Sequence, residues 1–480
     1  MNRNKFKAAA VLAAANVILI VAVMAVIGAV AFLNPNRQSF SDMEKRALAE
    51  KPAFSIKSLA SGEYTKALSL YFADTFPARD YFIQAASLIK DGMGFRVGDV
   101  KLYSTQTGDD AADAASAAEA SGELVASLPE QQPAESPKSQ QPQQTTVEAP
   151  ESEPEQEEDG VRVGSIFSVG GTGYTVFSGS EAMGKWYAQI ISAYADALDG
   201  KVKVYNIVVP TSIEFNLPER YKKITTPQQP RLENIKNNLS EKVEWVDVYG
   251  VLNAHKDEYL FFRTDHHWTS LGAYYAYTQF ARSAGFEPVS LGGLEKRTLD
   301  NFLGTLYSQT QDSKMAKEPD YVDYYIFPNM PKCYMYQNGS PEIPIKVSLY
   351  GEYASSYNAY SVFLHGDFPM MVIDTGIKNG KTLAVIKESY GNALIPFLTN
   401  NYEKIVVIDQ RYLQKGLYTV LEEQGVDELL FINNILAAHT QVRLNELNNL
   451  PFRVYTPPQP AAPVESEAAA AEAETELPEE

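Results

Sequence analysis

The chain has 480 residues, room for about three domains of ordinary size. With 41 Lys and Arg against 60 Asp and Glu, its formal charge is −19, which excludes a general nucleic-acid binder, because such a protein needs a basic footprint. A single cysteine, Cys333, excludes an intrachain disulfide framework and any multi-cysteine zinc site. The acidity is unevenly spread. Residues 104–160 carry a net −13 and residues 457–480 a net −7, so the remainder of the chain stands at +1.

Arg3, Lys5 and Lys7 precede an uncharged run from Ala8 to Leu33. As a helix this run would span about 39 Å, enough to cross a hydrocarbon core of roughly 30 Å with some tilt. Basic residues ahead of it put the amino terminus inside and the bulk of the chain outside the membrane. The run exceeds the roughly 7–15 apolar residues of a cleaved signal, so residues 1–33 read as a cytoplasmic stub and a retained transmembrane anchor. Cleavage after Ala29-Val30-Ala31 is the alternative, and both readings export the rest. No cysteine lies near enough for a lipid anchor.

Residues 34–103 read as a mostly helical part of the exported domain, with a helix over Leu68–Asp80 that ends at the Pro77 turn. Residues 104–160 are rich in Ala, Glu, Pro, Gln and Ser. They hold too little apolar surface to offset their ordering entropy and are expected to form a disordered acidic insertion. Residues 457–480 are expected to be a tail of the same kind.

From 161 to 456 the pattern alternates between strands and helices. Strands are expected at Val202–Val209, stopped by Pro210, and at Val243–Val248, Tyr259–Phe262, Leu383–Ile386, Ile405–Ile408 and Leu429–Ile432. Helices are expected over Leu232–Leu239, over Thr269–Ala284 with Thr269 or Ser270 as cap, and over Asn392–Thr399. Phe302–Thr375 reads as an irregular, partly β insertion. This order argues for a parallel sheet with helices on both faces.

Five histidines are present, and two of them fall in Arg263-Thr264-Asp265-His266-His267-Trp268. An Asp two residues before a His in extended chain puts both side chains on one side. The carboxylate can then fix the imidazole tautomer and stabilise the imidazolium. By the same alternation His266 should point elsewhere. A partner nucleophile is expected at another strand end. Leu383–Ile386 runs into Ser389, then Gly391, then a helix start, an arrangement that exposes a hydroxyl beside backbone N–H groups. Each signal has a plainer reading. Ser389 could merely cap its helix, and Asp265 could cap the helix that follows it. Asp265, His266 and His267 with His365 could hold a metal, although HExxH-type spacing is absent. His255, His365 and His439 read as surface or satisfied core residues, and Trp268 as packing beneath the loop.

The Asp265–Trp268 motif ahead of a Thr-Ser-x-Gly-Ala helix, with the later Glu388-Ser389-Tyr390-Gly391-Asn392 turn, resembles the bacterial DHHW protein family. Glu44–Leu48, Tyr71–Arg79 and Val209-Pro210-Thr211 resemble it too. The family is similar to the SGNH-hydrolase-like domains of periplasmic alginate O-acetyltransferases. The resemblance implies an SGNH-like α/β sheet in a rearranged order, because the Asp-x-His pair precedes the Ser. It implies Asp265, His267 and Ser389 as a catalytic triad, with Gly391, Asn392, Trp268 and His266 as oxyanion or supporting residues. Glu388 stands where relatives often have Asp, and separate Gly and Asn oxyanion blocks are not found. The expected protein is a membrane-anchored, extracytoplasmic O-acetyltransferase or esterase acting on cell-surface glycan, with no cofactor or metal and no nucleic-acid partner. A multi-spanning membrane acyltransferase is the expected acyl donor. A non-catalytic glycan-binding or envelope-assembly protein on the same fold is the alternative.

Overall fold

The computed structural model describes residues 39–92, 100–104, 165–337 and 340–455, apart from 42, 44, 45 and 78, together with 18, 19 and 22. The expected transmembrane run therefore lies almost wholly outside the described residues, as do residues 105–160 and the tail from 457. Among the described residues no helix is long and apolar enough to cross a membrane.

Eight strands form the central sheet: β1 (Lys203–Val209), β2 (Val243–Trp245), β3 (Lys332–Gln337), β4 (Ser340–Val347), β5 (Met370–Asp374), β6 (Thr382–Lys387), β7 (Lys404–Asp409) and β8 (Glu428–Asn434). Their order is β4-β3-β5-β7-β6-β8-β1-β2. The run from β7 to β2 is parallel. The segment read as an irregular insertion supplies β3, β4 and β5, which extend the sheet antiparallel beyond β7. The fold is thus mixed α/β rather than purely parallel.

The parallel strands read as continuous apolar runs because both of their faces are covered. Alternate residues go to opposite cores. Leu383, Val385, Ile405, Val407, Leu430 and Ile432 face one cluster, while Ala384, Ile386, Val406, Ile408, Leu429 and Phe431 face the other. Helix α1 (Glu181–Ala197), α2 (Gln228–Asn238) and α4 (Gln441–Asn449) cover the second face through Tyr187, Ile191, Leu232, Ile235, Leu444 and Leu447. Helix α3 (Ser270–Ser283) covers the first through Ala273, Ala276, Tyr277 and Phe280. Thr269 caps α3 by accepting from the Gly272 N–H.

Two expected elements differ. Tyr259–Phe262 is not a sheet strand. Only Phe261 bridges, and its partner is Trp268 of the same loop. The chain there turns back on itself, with Phe262 N–H donating to His267 O and Thr269 N–H to Leu260 O. The Leu68–Asp80 helix is two helices, Glu63–Asp74 and Arg79–Gly92, parted at Pro77, whose missing N–H and ring geometry break the ladder.

Val100–Ser104 pairs antiparallel with Ser165–Val169, so Ser104 and Ser165 are direct register partners. Residues 105–164 leave and re-enter at adjacent points of one hairpin. Loop-closure entropy changes slowly with length, and a tight turn can join such strands. Replacing 105–164 with a four-residue Asn/Gly turn should leave the melting temperature within about 4 °C of wild type. A larger drop in differential scanning calorimetry would mean that the segment contributes to the fold.

Candidate active site

Ser389 lies two residues past the end of β6, beyond the carboxyl ends of the parallel strands, where open α/β sheets place their ligands. A short 3₁₀ turn, Ser389–Ala393, begins there. Glu388 holds the turn through its side chain. Its Oε2 accepts from Tyr390 N–H (3.0 Å) and its Oε1 from Asn434 N–H of β8 (2.8 Å). Gly391 is needed for the tight approach, since a Cβ there would lie 2.6 Å from Lys387 Cβ.

The Asp265–Trp268 loop arrives from the other side. Buried Asp320 organises it, accepting from Arg263 N–H (3.0 Å), Thr264 N–H (2.7 Å) and Thr264 Oγ1–H (2.6 Å). Trp268 is fully buried, as expected, and its Nε1–H donates to Tyr390 O at 2.9 Å. Tyr390 OH in turn donates to His266 O. These two bonds tie the halves of the site together.

The structure brings Asp265, His267 and Ser389 into one hydrogen-bonded line. His267 Nδ1–H donates to Asp265 Oδ1 at 2.6 Å, and Ser389 Oγ–H reaches His267 Nε2 at 2.7 Å. A longer contact of 3.3 Å links Ser389 Oγ to Glu388 Oε2. Asp265 Oδ1 also accepts from His267 N–H (2.9 Å), and Oδ2 accepts from Thr305 N–H (2.8 Å) and Oγ1–H (3.1 Å). Burial alone would raise the Asp265 pKa. The adjoining His267 and His266 and the donated hydrogen bonds overcome it and hold the carboxyl well below its usual range. Burial pushes the Glu388 carboxyl up, against the pull of the Tyr390 and Asn434 N–H groups. An imidazole with a carboxylate behind it and a hydroxyl in front is equipped for nucleophilic acyl substitution.

His266 departs from the expected alternation. The loop is not extended, so both rings line the same pocket with Ser389, and their centroids lie 3.8 Å apart. Gly391 and Asn392 have their donors engaged within the chain, and Asn392 lines the pocket. Gly391 N–H donates to Glu388 O (3.0 Å), and the Asn392 amide donates to Gly366 O (3.3 Å) and Asp367 Oδ1 (3.1 Å).

Asp265, His266 and His267 each have a ligand atom within 4.8 Å of the others. Here both His267 nitrogens and both Asp265 oxygens are already engaged within the chain. A metal would have to displace those bonds. His365 lies apart, with its Nε2–H donating to Ser348 O at 2.9 Å. His255 pairs with exposed Glu258 at 2.6 Å. His439 is buried against Ile435 O at 2.9 Å.

Several contributors gave no sequence signal of their own. Tyr360, inside the irregular segment, stacks on the His267 ring at 3.9 Å and 11°, and its OH donates to Ser389 O at 3.0 Å. Gly304 faces Asp265 so closely that a Cβ would lie 2.2 Å from Oδ2. Gly304→Ala should therefore displace the carboxylate. We expect about a 100-fold loss in kcat/KM for an activated acetyl ester, the scale of a 1 Å misplacement, while circular dichroism keeps its native form. Full activity in that variant would show that the Asp265 position is not demanding.

The DHHW protein family model matches residues 44–408. A crystal structure of a DHHW family protein from Eubacterium siraeum is 30% identical, with 61% of this chain and 96% of that one covered and a TM-score of 0.55. Bacillus cereus PatB1 with a sulfonyl adduct is 16% identical over 58% of this chain and 98% of its own, with a TM-score of 0.49. The O-acetyltransferase domain of Pseudomonas putida AlgJ is 13% identical over 57% and 93%, with a TM-score of 0.34. No curated protein matches the chain.

Proposed function

This chain belongs to the DHHW protein family, and we propose that it is an acyl-ester hydrolase or O-acyltransferase working through a serine acyl-enzyme on an SGNH-hydrolase-like sheet. The reading rests on one observation, the unbroken line from Asp265 through His267 to Ser389 at 2.6 and 2.7 Å. Ser389 Oγ attacks the acyl carbonyl carbon while His267 Nε2 takes its proton. Asp265 holds the Nδ1–H and stabilises the imidazolium. His267 returns the proton to the departing alkoxide, leaving the acyl group on Ser389. A hydroxyl or water then attacks, and Ser389 Oγ leaves with the proton that passes through His267.

The natural acceptor in this reading is cell-surface glycan. Residues 8–33 anchor the chain with its bulk outside the membrane, where acetyl-CoA is absent. A multi-spanning membrane acyltransferase then delivers the acyl group. Protease added to intact protoplasts should digest the domain, and protection would reject that topology. The chemistry is tested by acetate release from p-nitrophenyl acetate and from an O-acetylated polysaccharide. Release should vanish in Ser389→Ala and be indifferent to chelators. Activity that survives Ser389→Ala but is lost to a chelator would instead assign the chemistry to a metal held by Asp265, His266 and His267.

A further inference from the structure

His266 has a second task open to it, because its hydrogen bonds fix which nitrogen carries the proton. Its Nδ1 lies 2.5 Å from Thr305 Oγ1. The same hydroxyl lies 3.1 Å from Asp265 Oδ2. An ionised carboxylate can only accept, so the Thr305 hydroxyl proton goes to Asp265. The Thr305 oxygen then accepts from His266 Nδ1–H. Both contacts are favourable only in this arrangement. Neutral imidazole carries one proton, so Nε2 is left as an acceptor. Burial, with a smaller contribution from the neighbouring His267, pulls the His266 pKa down to about 3 against the opposing pull of Asp265, which keeps the ring neutral near pH 7.

That acceptor is not used within the chain. Among the described residues His266 Nε2 has no hydrogen-bond partner, and the side chain keeps 18% of its surface exposed. It lines the pocket that also holds Ser389 and His267. Of the pocket's other acceptors, the Asp367 carboxylate is already taken by Lys387, Arg411 and Asn392, and Asn392 Oδ1 is buried without a partner. A ligand beside Ser389 thus meets one open imidazole acceptor, next to but distinct from the one that serves the serine.

We propose that His266 Nε2 accepts a hydrogen bond from a second hydroxyl of the acyl acceptor, so that the acyl-enzyme is discharged to polyols with adjacent hydroxyls in preference to simple alcohols. This rests on the serine acyl-enzyme reading above. The first hydroxyl oxygen attacks the acyl carbon and gives its proton to His267 Nε2. The bond from Ser389 Oγ to that carbon breaks, and Oγ takes the proton back. His266 exchanges no proton; it orients the neighbouring hydroxyl and with it the attacking one.

The test uses the full-length protein in detergent micelles, acetylated with p-nitrophenyl acetate and offered 1,2-propanediol or 1-propanol. The two probes share a primary hydroxyl and differ in the adjacent one. The readout is the share of acetyl passed to alcohol rather than water, counted per acyl-enzyme formed. A slow or partly unfolded variant therefore still reports. Wild type should favour the diol by about fivefold or more, the scale of one hydrogen bond. His266→Asn sets its amide where Nδ1 lies, keeps a donor toward Thr305 and leaves nothing at the Nε2 position, so the preference should fall to about one. His266→Gln returns an acceptor near that position and should restore part of it. A wild type without diol preference, or a preference that survives His266→Asn, would overturn the proposal. Absence of an acetyl group on Ser389 before any alcohol is added would instead overturn the serine reading, and this proposal with it.

Discussion

Ser389→Ala and His267→Ala should each lower kcat/KM for an activated acetyl ester by roughly 10⁴-fold or more, and the double variant should be no worse than either single one. The reason lies in the geometry. Ser389 Oγ and His267 Nε2 are 2.7 Å apart, so removing either member removes the same proton transfer. Independent contributions would multiply, and a much weaker double variant would contradict a single unit. Asp265→Asn should cost about 10⁴-fold as well. The amide can present an N–H to His267 Nδ1, which forces the proton to Nε2 and turns that nitrogen from acceptor to donor. Steady-state kinetics on folded protein, verified by circular dichroism, decides each case.

Lys387→Met should destabilise the fold by about 3–5 kcal/mol at neutral pH. Lys387 Nζ is fully buried and lies 3.0 Å from both Asp367 Oδ1 and Asp409 Oδ2. Arg411 Nη2 lies 2.9 Å from Asp367 and 2.8 Å from Asp409. Two cations and two anions thus balance beneath the site. Burial alone would raise the Asp367 pKa, but Arg411, Lys387 and Asn392 hold the carboxyl well below its usual range. Removing Lys387 leaves two carboxylates facing one guanidinium. The sign of the pH dependence follows from linkage. In wild type the depressed carboxyl contributes stability that is complete above its unfolded pKa of about 3.9 and is lost as pH falls below it. In the variant one carboxylate can take a proton at higher pH and relieve the imbalance. The deficit should therefore be largest at neutral pH and shrink in acid, as read by urea denaturation at pH 7 and pH 5. A deficit below about 1 kcal/mol at pH 7 would mean that water or rearrangement compensates the cluster.

Much of this was legible in the chain. The parallel strands announced themselves as apolar runs, and Thr269 announced the start of α3. Asp265 and His267 were readable from their spacing, and Ser389 from its place after a buried strand. What failed were inferences that assumed local regularity. Tyr259–Phe262 has strand-like residues, but tertiary bonds to Asp320 fold its neighbourhood into a loop. That loop swings the His266 ring to the same side as His267, where strict alternation would have parted them. The segment around Tyr360 has no period to read, because its residues are placed by contacts with the histidine and the serine turn. The charge cluster left one faint trace. Lys387 and Asp409 end adjacent apolar strands, a position where an unpaired charge would be costly.

The central claim, that Ser389 is an acylated nucleophile driven by His267 and Asp265, is tested most directly by intact-protein and peptide mass spectrometry after a brief acid quench from p-nitrophenyl acetate. A single acetyl group on the peptide bearing Ser389 is the expected result, with its rate of appearance collapsing in His267→Ala and Asp265→Asn. An unmodified Ser389 in protein that is turning over the ester, or an adduct that forms equally fast without His267, would contradict it.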